Sequence, residues 1–423
     1  MVNPFRPISI SLSPNVQPDD VGLAFSLLFK PAKVPAAQTC IGDTYANPAQ
    51  ELERNFADYL SVKRTYAFNS GRSALMAILA AMELENGSEV LLQAFTCNAA
   101  VNPIRWAGLE PVFVDCDQNY NLSAEDLKKK ITEKSRVVMV QHTFGLPADM
   151  DEIVEICRRN NLILIEDCAH SLGAEYCGRK VGTFGQAAFF SFGRDKMISC
   201  VYGGIAMTND ERLGQKIAAY QEKIGYPAKD WTRQQLWHPV LMDKIILPSY
   251  SILGKHLLVL FQWFHVLSKA IHWKEKRGLA PDYFPKRLPD KLAVLALNQF
   301  KKLENFNEHR RKIAELYYNK LKGGDCVLPA RPSGRKAVYL RFAIRRDCAA
   351  KMIKKAWQKN LLLGDWYRTP VDPFDTLPET MGYKKGSCLN AEAFAGKIIN
   401  LPTHINIGEN EARKILTFIK QCK

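Results

Sequence analysis

From residue 66 to residue 165 the chain alternates short apolar runs with stretches of helical spacing. No other feature limits its fold as much. Residues 66–68 (YAF), 89–92 (EVLL), 111–114, 136–140 and 162–165 read as strands. Residues 74–81 and 151–159 read as helices, after an earlier helical pattern at Leu52, Phe56 and Leu60. Strands alternating with helices predict an α/β fold, a mostly parallel, mixed sheet with helices on both faces. Ligands of such sheets bind at the carboxyl ends of the strands. The residues that follow each strand are therefore the first candidates for chemistry.

At 423 residues the chain is long for one domain. Residues 1–40, rich in Pro and Ser, read as an extended N-terminal arm. Residues 41–228 form the large domain and 229–280 a helical insertion. A long connecting helix, patterned over 291–318, falls within 281–320. Residues 321–423 form a smaller α+β domain, with a strand at 337–344, helices near 348–359 and 411–421, and loops at 364–375.

The insertion differs in composition from the rest. Residues 229–277 hold four of the seven tryptophans, and eight basic residues against Asp230, Asp243 and Glu275. Residues 257–268 (LLVLFQWFHVLS) are uncharged but too short to span a bilayer. Two readings stay open: a helical hairpin packed on the protein or a second subunit, or a helix lying in a membrane interface as a peripheral contact. The formal net charge of +15 favours anionic partners. The basic residues are dispersed and belong to no recognised module, so nucleic acid is not expected as a partner. Eleven cysteines, in no CxxC pair and no Cys/His zinc spacing, predict reduced thiols and no metal site. The N-terminal residues lack a basic stretch followed by an apolar one, which predicts a cytoplasmic protein without a signal peptide.

Three stretches carry candidate chemistry. Asn69-Ser70-Gly71-Arg72-Ser73 lies between a strand and a helix. A helix N-terminus offers free N–H groups to a phosphate, and Gly71, Arg72 and Ser73 can add close approach and donors; a plain serine cap fits the same residues. Asp167 closes an apolar strand. Ionised beside a pyridine nitrogen, it would keep that nitrogen protonated and the ring an electron sink. His170 can stack on such a ring, or be a satisfied, partly buried histidine. Finally SFGRDK (191–196) follows the apolar run 187–190. It places Ser191 where its hydroxyl can reach the same phosphate, and Lys196 in a loop as a candidate Schiff-base nucleophile.

These stretches, in this order, resemble the fold-type I pyridoxal-phosphate (PLP) enzymes, and among them the DegT/StrS sugar aminotransferases. The likeness is carried by FNSGRSAL (68–75), GLEPVFVDCD (108–117), QHTFGLPADMDEI (141–153), LILIEDCAHSLGAEYCGRKVGTFG (162–185), SFGRDK, GGIAMTND (203–210), LALNQFKKLENFNEHRRKIAELYY and NLPTHINI (400–407). The resemblance implies pyridoxal 5'-phosphate bound to Lys196, with Asp167 on the pyridine nitrogen and His170 near the ring. Ser191 and residues 71–73 would meet the phosphate. Cys97 stands where the family stacks an aromatic residue on the ring, Val201-Tyr202 where it has Gly-Glu, and Pro285 where it has an Asn. The resemblance further implies a homodimer that moves an amino group, with glutamate as donor, to a keto sugar carried on a nucleotide, in polysaccharide or secondary-metabolite synthesis. The departures keep a second expectation open: another PLP reaction on a non-sugar or membrane-held substrate, or an impaired PLP-binding protein.

Overall fold

The computed structural model describes residues 5–32, 34–35 and 45–422. Seven strands form the main sheet: β1 Arg64–Phe68, β2 Glu89–Gln93, β3 Glu110–Val114, β4 Ser135–Gln141, β5 Ile163–Asp167, β6 Ala187–Ser191 and β7 Gly204–Thr208. Their spatial order is β1-β7-β6-β5-β4-β2-β3, and β7 alone runs antiparallel to its neighbours. Strands buried on both faces need continuous apolar runs, and β4 and β7 are buried along almost their whole length. Each expected strand of the large domain is present, longer by one or two residues than its apolar run.

Helix Gly71–Ala81 packs on one face of the sheet. On the other, Phe56 of helix Pro48–Leu60 meets Phe190 and Phe192. The small domain pairs β8 Arg341–Arg345 with β9 Ile398–Pro402, covered by helices Ala349–Gln358 and Glu409–Gln421.

Two expectations about helices are corrected. The segment read as an extended arm contains helix Pro18–Phe29. Pro18 sits at the first helical position, where a missing N–H is harmless. The backbone N–H of Gln17 donates to Asp20 Oδ2 at 2.9 Å, and Val21, Ala24 and Leu27 enter the core. The connecting helix is two helices, Asp290–Phe300 and Leu303–Leu321, broken at Lys301-Lys302. The break lies where Asn298, Gln299 and Lys302 all bond Asp20 of the N-terminal helix.

The insertion has three parts. Helix Lys229–Leu241 is built in, with Leu236 and Val240 in the core and His238 Nε2 at 2.8 Å from Ser13 Oγ. The chain then turns outward to helix Lys255–Trp263, which ends short of the expected 257–268 run. Residues 268–286 return to the sheet. Among the described residues no single helix is long and apolar enough to cross a membrane. Lys229–Ile246 and Tyr250–Trp263 reach that length and composition only as a pair bent by 110°. The described cysteines are free thiols; Cys40 lies outside the described residues.

Candidate active site

The carboxyl ends of β4, β5 and β6 meet around one cavity of about 150 Å³, roughly the space that takes a single six-membered ring. β5 delivers Asp167, flanked by Gln141 of β4 and Phe189 of β6 in register. Side chains alternate along a strand, so neighbouring Glu166 faces the other way. Its carboxylate accepts from the N–H groups of Gly182, Phe184 and Gly185 and meets His142 Nε2 at 3.2 Å, a structural role that leaves Asp167 as the carboxylate β5 turns to the cavity.

The lysine loop leaves β6 at Ser191 and is closed by its own backbone. Phe192 N–H donates to Gly203 O at 2.8 Å and Cys200 N–H to Phe192 O at 3.1 Å, while Phe192, Met197 and Ile198 sit in the core. Asn15 fixes it from outside, donating to the carbonyls of Lys196 and Met197 at 2.5 and 3.0 Å. Its own Oδ1 accepts from the buried Arg310 at 2.6 Å.

Lys196 is thereby aimed into the cavity. Burial depresses its pKa, and no carboxylate of a described residue lies within 4.0 Å of Nζ to hold its charge. Burial pushes the Asp167 carboxyl up, opposed by the Ala169 N–H on Oδ1 at 2.9 Å and by the charge of Lys196. Its Oδ2 has no donor among the described residues. His170 is held well below its ordinary pKa by burial and then by Lys196, so its ring is neutral. Its Nδ1 accepts from Phe144 N–H at 3.4 Å, and its ring stacks with Phe144 and Trp366 at 6.1 and 5.7 Å.

The turn after β1 completes that side. Ser70 caps helix Gly71–Ala81, its Oγ accepting from Ser73 N–H at 3.0 Å. The N–H groups of Gly71 and Arg72 donate to no described residue. A Cβ at Gly71 would come within 3.0 Å of Ser191 Cβ, so only glycine lets the helix start lie against Ser191. Two side chains depart from the donor set read in the sequence. The Ser73 hydroxyl donates to Asn69 at 2.7 Å and does not line the cavity. The Arg72 guanidinium lines it but is paired with buried Glu275 and stands 4.6 Å over the Phe284 ring.

Glu275 belongs to the returning part of the insertion, which forms the opposite wall. Ala270 and Ile271 line the cavity. The Tyr202 hydroxyl donates to Lys269 O at 2.5 Å, Arg194 bonds Ser268, and Asn102 donates to Glu275 O at 2.9 Å. The unusual Tyr202 thus anchors the insertion. Cys97 lines the cavity, its thiol pushed up to about 11 by burial. Trp366 and Tyr367, from the loop at 364–375, close the remaining side. Arg341 lies on the Trp366 face at 3.2 Å and pairs with Asp195 at 2.8 Å. Asn15, Glu275, Arg341 and Trp366 carry no local sequence signal, because each reaches the site from far along the chain.

The groups left free match a phosphorylated pyridine aldehyde. They are an amine without a counter-ion, a carboxylate oxygen without a donor, and two helix-start N–H groups beside a hydroxyl. The unpartnered Nε of buried Arg194 stands nearby. Sheet, lysine loop and donor set together define a fold-type I PLP enzyme.

The chain belongs to the DegT/DnrJ/EryC1/StrS aminotransferase family, whose model matches residues 38–252 and 264–420. The unmatched residues 253–263 are the outermost part of the insertion. A GDP-perosamine synthase of Caulobacter vibrioides is 28% identical over 88% of this chain and 89% of its own. One from Escherichia coli O157:H7 is 35% identical, over 48% of this chain and 56% of its own length. A Streptococcus pneumoniae protein solved in a PLP form superposes with a TM-score of 0.70 at 20% identity, covering 98% of this chain and 97% of that one.

Proposed function

We propose that the protein transfers an amino group from an amino acid, glutamate in the simplest case, to a keto sugar linked to a nucleotide. The reading places it in the cytoplasm as a homodimer serving polysaccharide or secondary-metabolite synthesis. One observation carries it: Lys196 and Asp167 face a single cavity whose third corner is the Gly71–Ser191 cradle. The relatives named GDP-perosamine synthase support an acceptor of the nucleotide-sugar class.

Bound PLP supplies an electron sink for a carbanion formed at the donor's Cα. Lys196 Nζ would hold PLP through its aldehyde carbon and, when free, would serve as the base at the donor's Cα. Burial lowers the pKa of that amine, in the direction a base at the donor's Cα needs. Asp167 would accept the pyridine N–H, and a protonated ring would give the buried carboxylate a counter-charge. The N–H groups of Gly71 and Arg72 and the Ser191 hydroxyl take the phosphate. Glu275 keeps the Arg72 charge in place behind it. His170, neutral and stacked on Trp366, closes the ring's side of the cavity against water.

The test is spectroscopic. Wild-type protein with PLP should show the visible band of a lysine-bound cofactor and lose it on adding glutamate. Lys196→Ala should show neither; a variant that keeps the band would overturn the assignment.

A further inference from the structure

We propose that the outer part of the insertion, residues 245–266, docks on an anionic lipid bilayer and holds the mouth of the catalytic cleft at that surface. Helix Lys255–Trp263 buries none of its residues. Leu253, Val259, Trp263 and Phe264 are 60%, 62%, 71% and 61% exposed, and Ile245, Ile252, Leu260 and Val266 are exposed as well. Single exposed apolar residues need no explanation, but a contiguous run of them marks an interaction surface. The inner side of the same segment is finished. Tyr250, Leu257, Leu258 and Phe261 pack on Met242, Ile246 and Leu267.

Charge decides the occupant. From 244 to 277 the chain carries Lys244, Lys255, Lys269, Lys274, Lys276 and Arg277. Glu275, the one acid in that stretch, is buried against Arg72, and Lys244, Lys274 and Lys276 pair with Asp243, Asp282 and Asp375, which leaves Lys255, Lys269 and Arg277 without an ion pair among the described residues. Those three cations, on a chain of net charge +15, favour an anionic surface over a second copy of the chain. Exposed Trp and Phe with flanking lysines are the composition of a helix that lies in the headgroup region. The 110° bend before this helix suits lying on the bilayer, not crossing it.

The face is continuous with the site. A second cavity of about 800 Å³ is lined by Asp195, Arg341 and Trp366 on one side and by Ile252, Lys255 and His256 on the other. Ile252, His256, Val259 and Trp263 recur at helical spacing and form one stripe. The stripe starts inside the cleft and ends at the exposed Trp263. Docking would therefore set the opening of the cleft on the membrane surface.

The experiment is flotation of full-length, PLP-loaded protein with vesicles, without substrate, so that its outcome is independent of aminotransfer. Wild type should float with phosphatidylcholine–phosphatidylglycerol vesicles at low salt, stay behind with phosphatidylcholine alone, and be released by salt. The double variant Trp263→Asp/Phe264→Asp should lose about tenfold or more in bound fraction. It should keep the glutamate-driven loss of the visible band, because both residues lie outside the site. Wild type that ignores anionic vesicles at low salt overturns the proposal, as does a variant that floats equally well. So does a variant that turns a wild-type dimer into monomers, since the face would then belong to a second copy.

Discussion

The two walls of the cofactor cavity have different origins. One is made of strand ends and the turns that leave them: Gly71, Asp167, Ser191 and Lys196. Each is placed by the strand immediately before it. The other is made of Ala270, Ile271 and Trp366, backed by Glu275 and Arg341, all from the insertion and the C-terminal part of the chain. These are placed by ion pairs, ring contacts and hydrogen bonds between segments far apart in the chain. The first wall is what a fold-type I sheet presents at its carboxyl edge and carries the residues of the proposed chemistry. The second bounds the rest of the cavity.

Three substitutions probe that contrast. Asp167→Ala attacks the first wall and should reduce turnover on the order of a thousandfold with little loss of stability. Steady-state kinetics checks it, and a loss under about tenfold would remove Asp167 from the chemistry. Glu275→Ala attacks the second. It leaves the Arg72 guanidinium buried without a counter-ion, at about 3 kcal/mol, read by urea unfolding. Arg72→Ala/Glu275→Ala should recover most of that loss, because no uncompensated charge remains. A neutral single variant would mean that the insertion is not secured through this pair.

The smallest effect concerns Asp372, whose two-residue strand lies parallel to Thr96–Cys97 beneath the cavity. Burial pushes its carboxyl from 3.8 up to about 6. A raised pKa means that its contribution to stability is present below about pH 4 and lost as pH rises through about 6. Asp372→Asn should therefore narrow the difference in melting temperature between pH 5 and pH 7. An unchanged difference would show that the carboxyl is better solvated than its burial indicates.

What the sequence revealed follows the same division. Lys196, Asp167 and Ser191 were legible because each closes or follows an apolar run, and alternation of side chains then settles which residue faces the cavity. Gly71 was legible from its place between strand and helix, while the pairing of Arg72 was not, since Glu275 lies 203 residues away. The N-terminal helix was missed because Pro18 and the serines before it suggest extended chain. Its real signals are a proline at the first helical position and an aspartate that reaches back to Gln17. The break at Lys301-Lys302 is invisible locally, because both flanks have helical composition and the cause is packing on Asp20.

Asn15 adds a constraint in time. Its amide reaches the Lys196 carbonyl across 181 residues, and Arg310, which steadies that amide, lies 295 residues from it. Contacts of such sequence separation carry the largest loop-closure cost and are expected to form late. During synthesis the sheet can assemble from neighbouring strands, yet the lysine loop cannot reach its final backbone until residue 310 has emerged and the leading segment has folded back. On this order of events the Lys196 amine is set in place only after most of the chain around it exists, and a nascent chain does not offer the finished cavity.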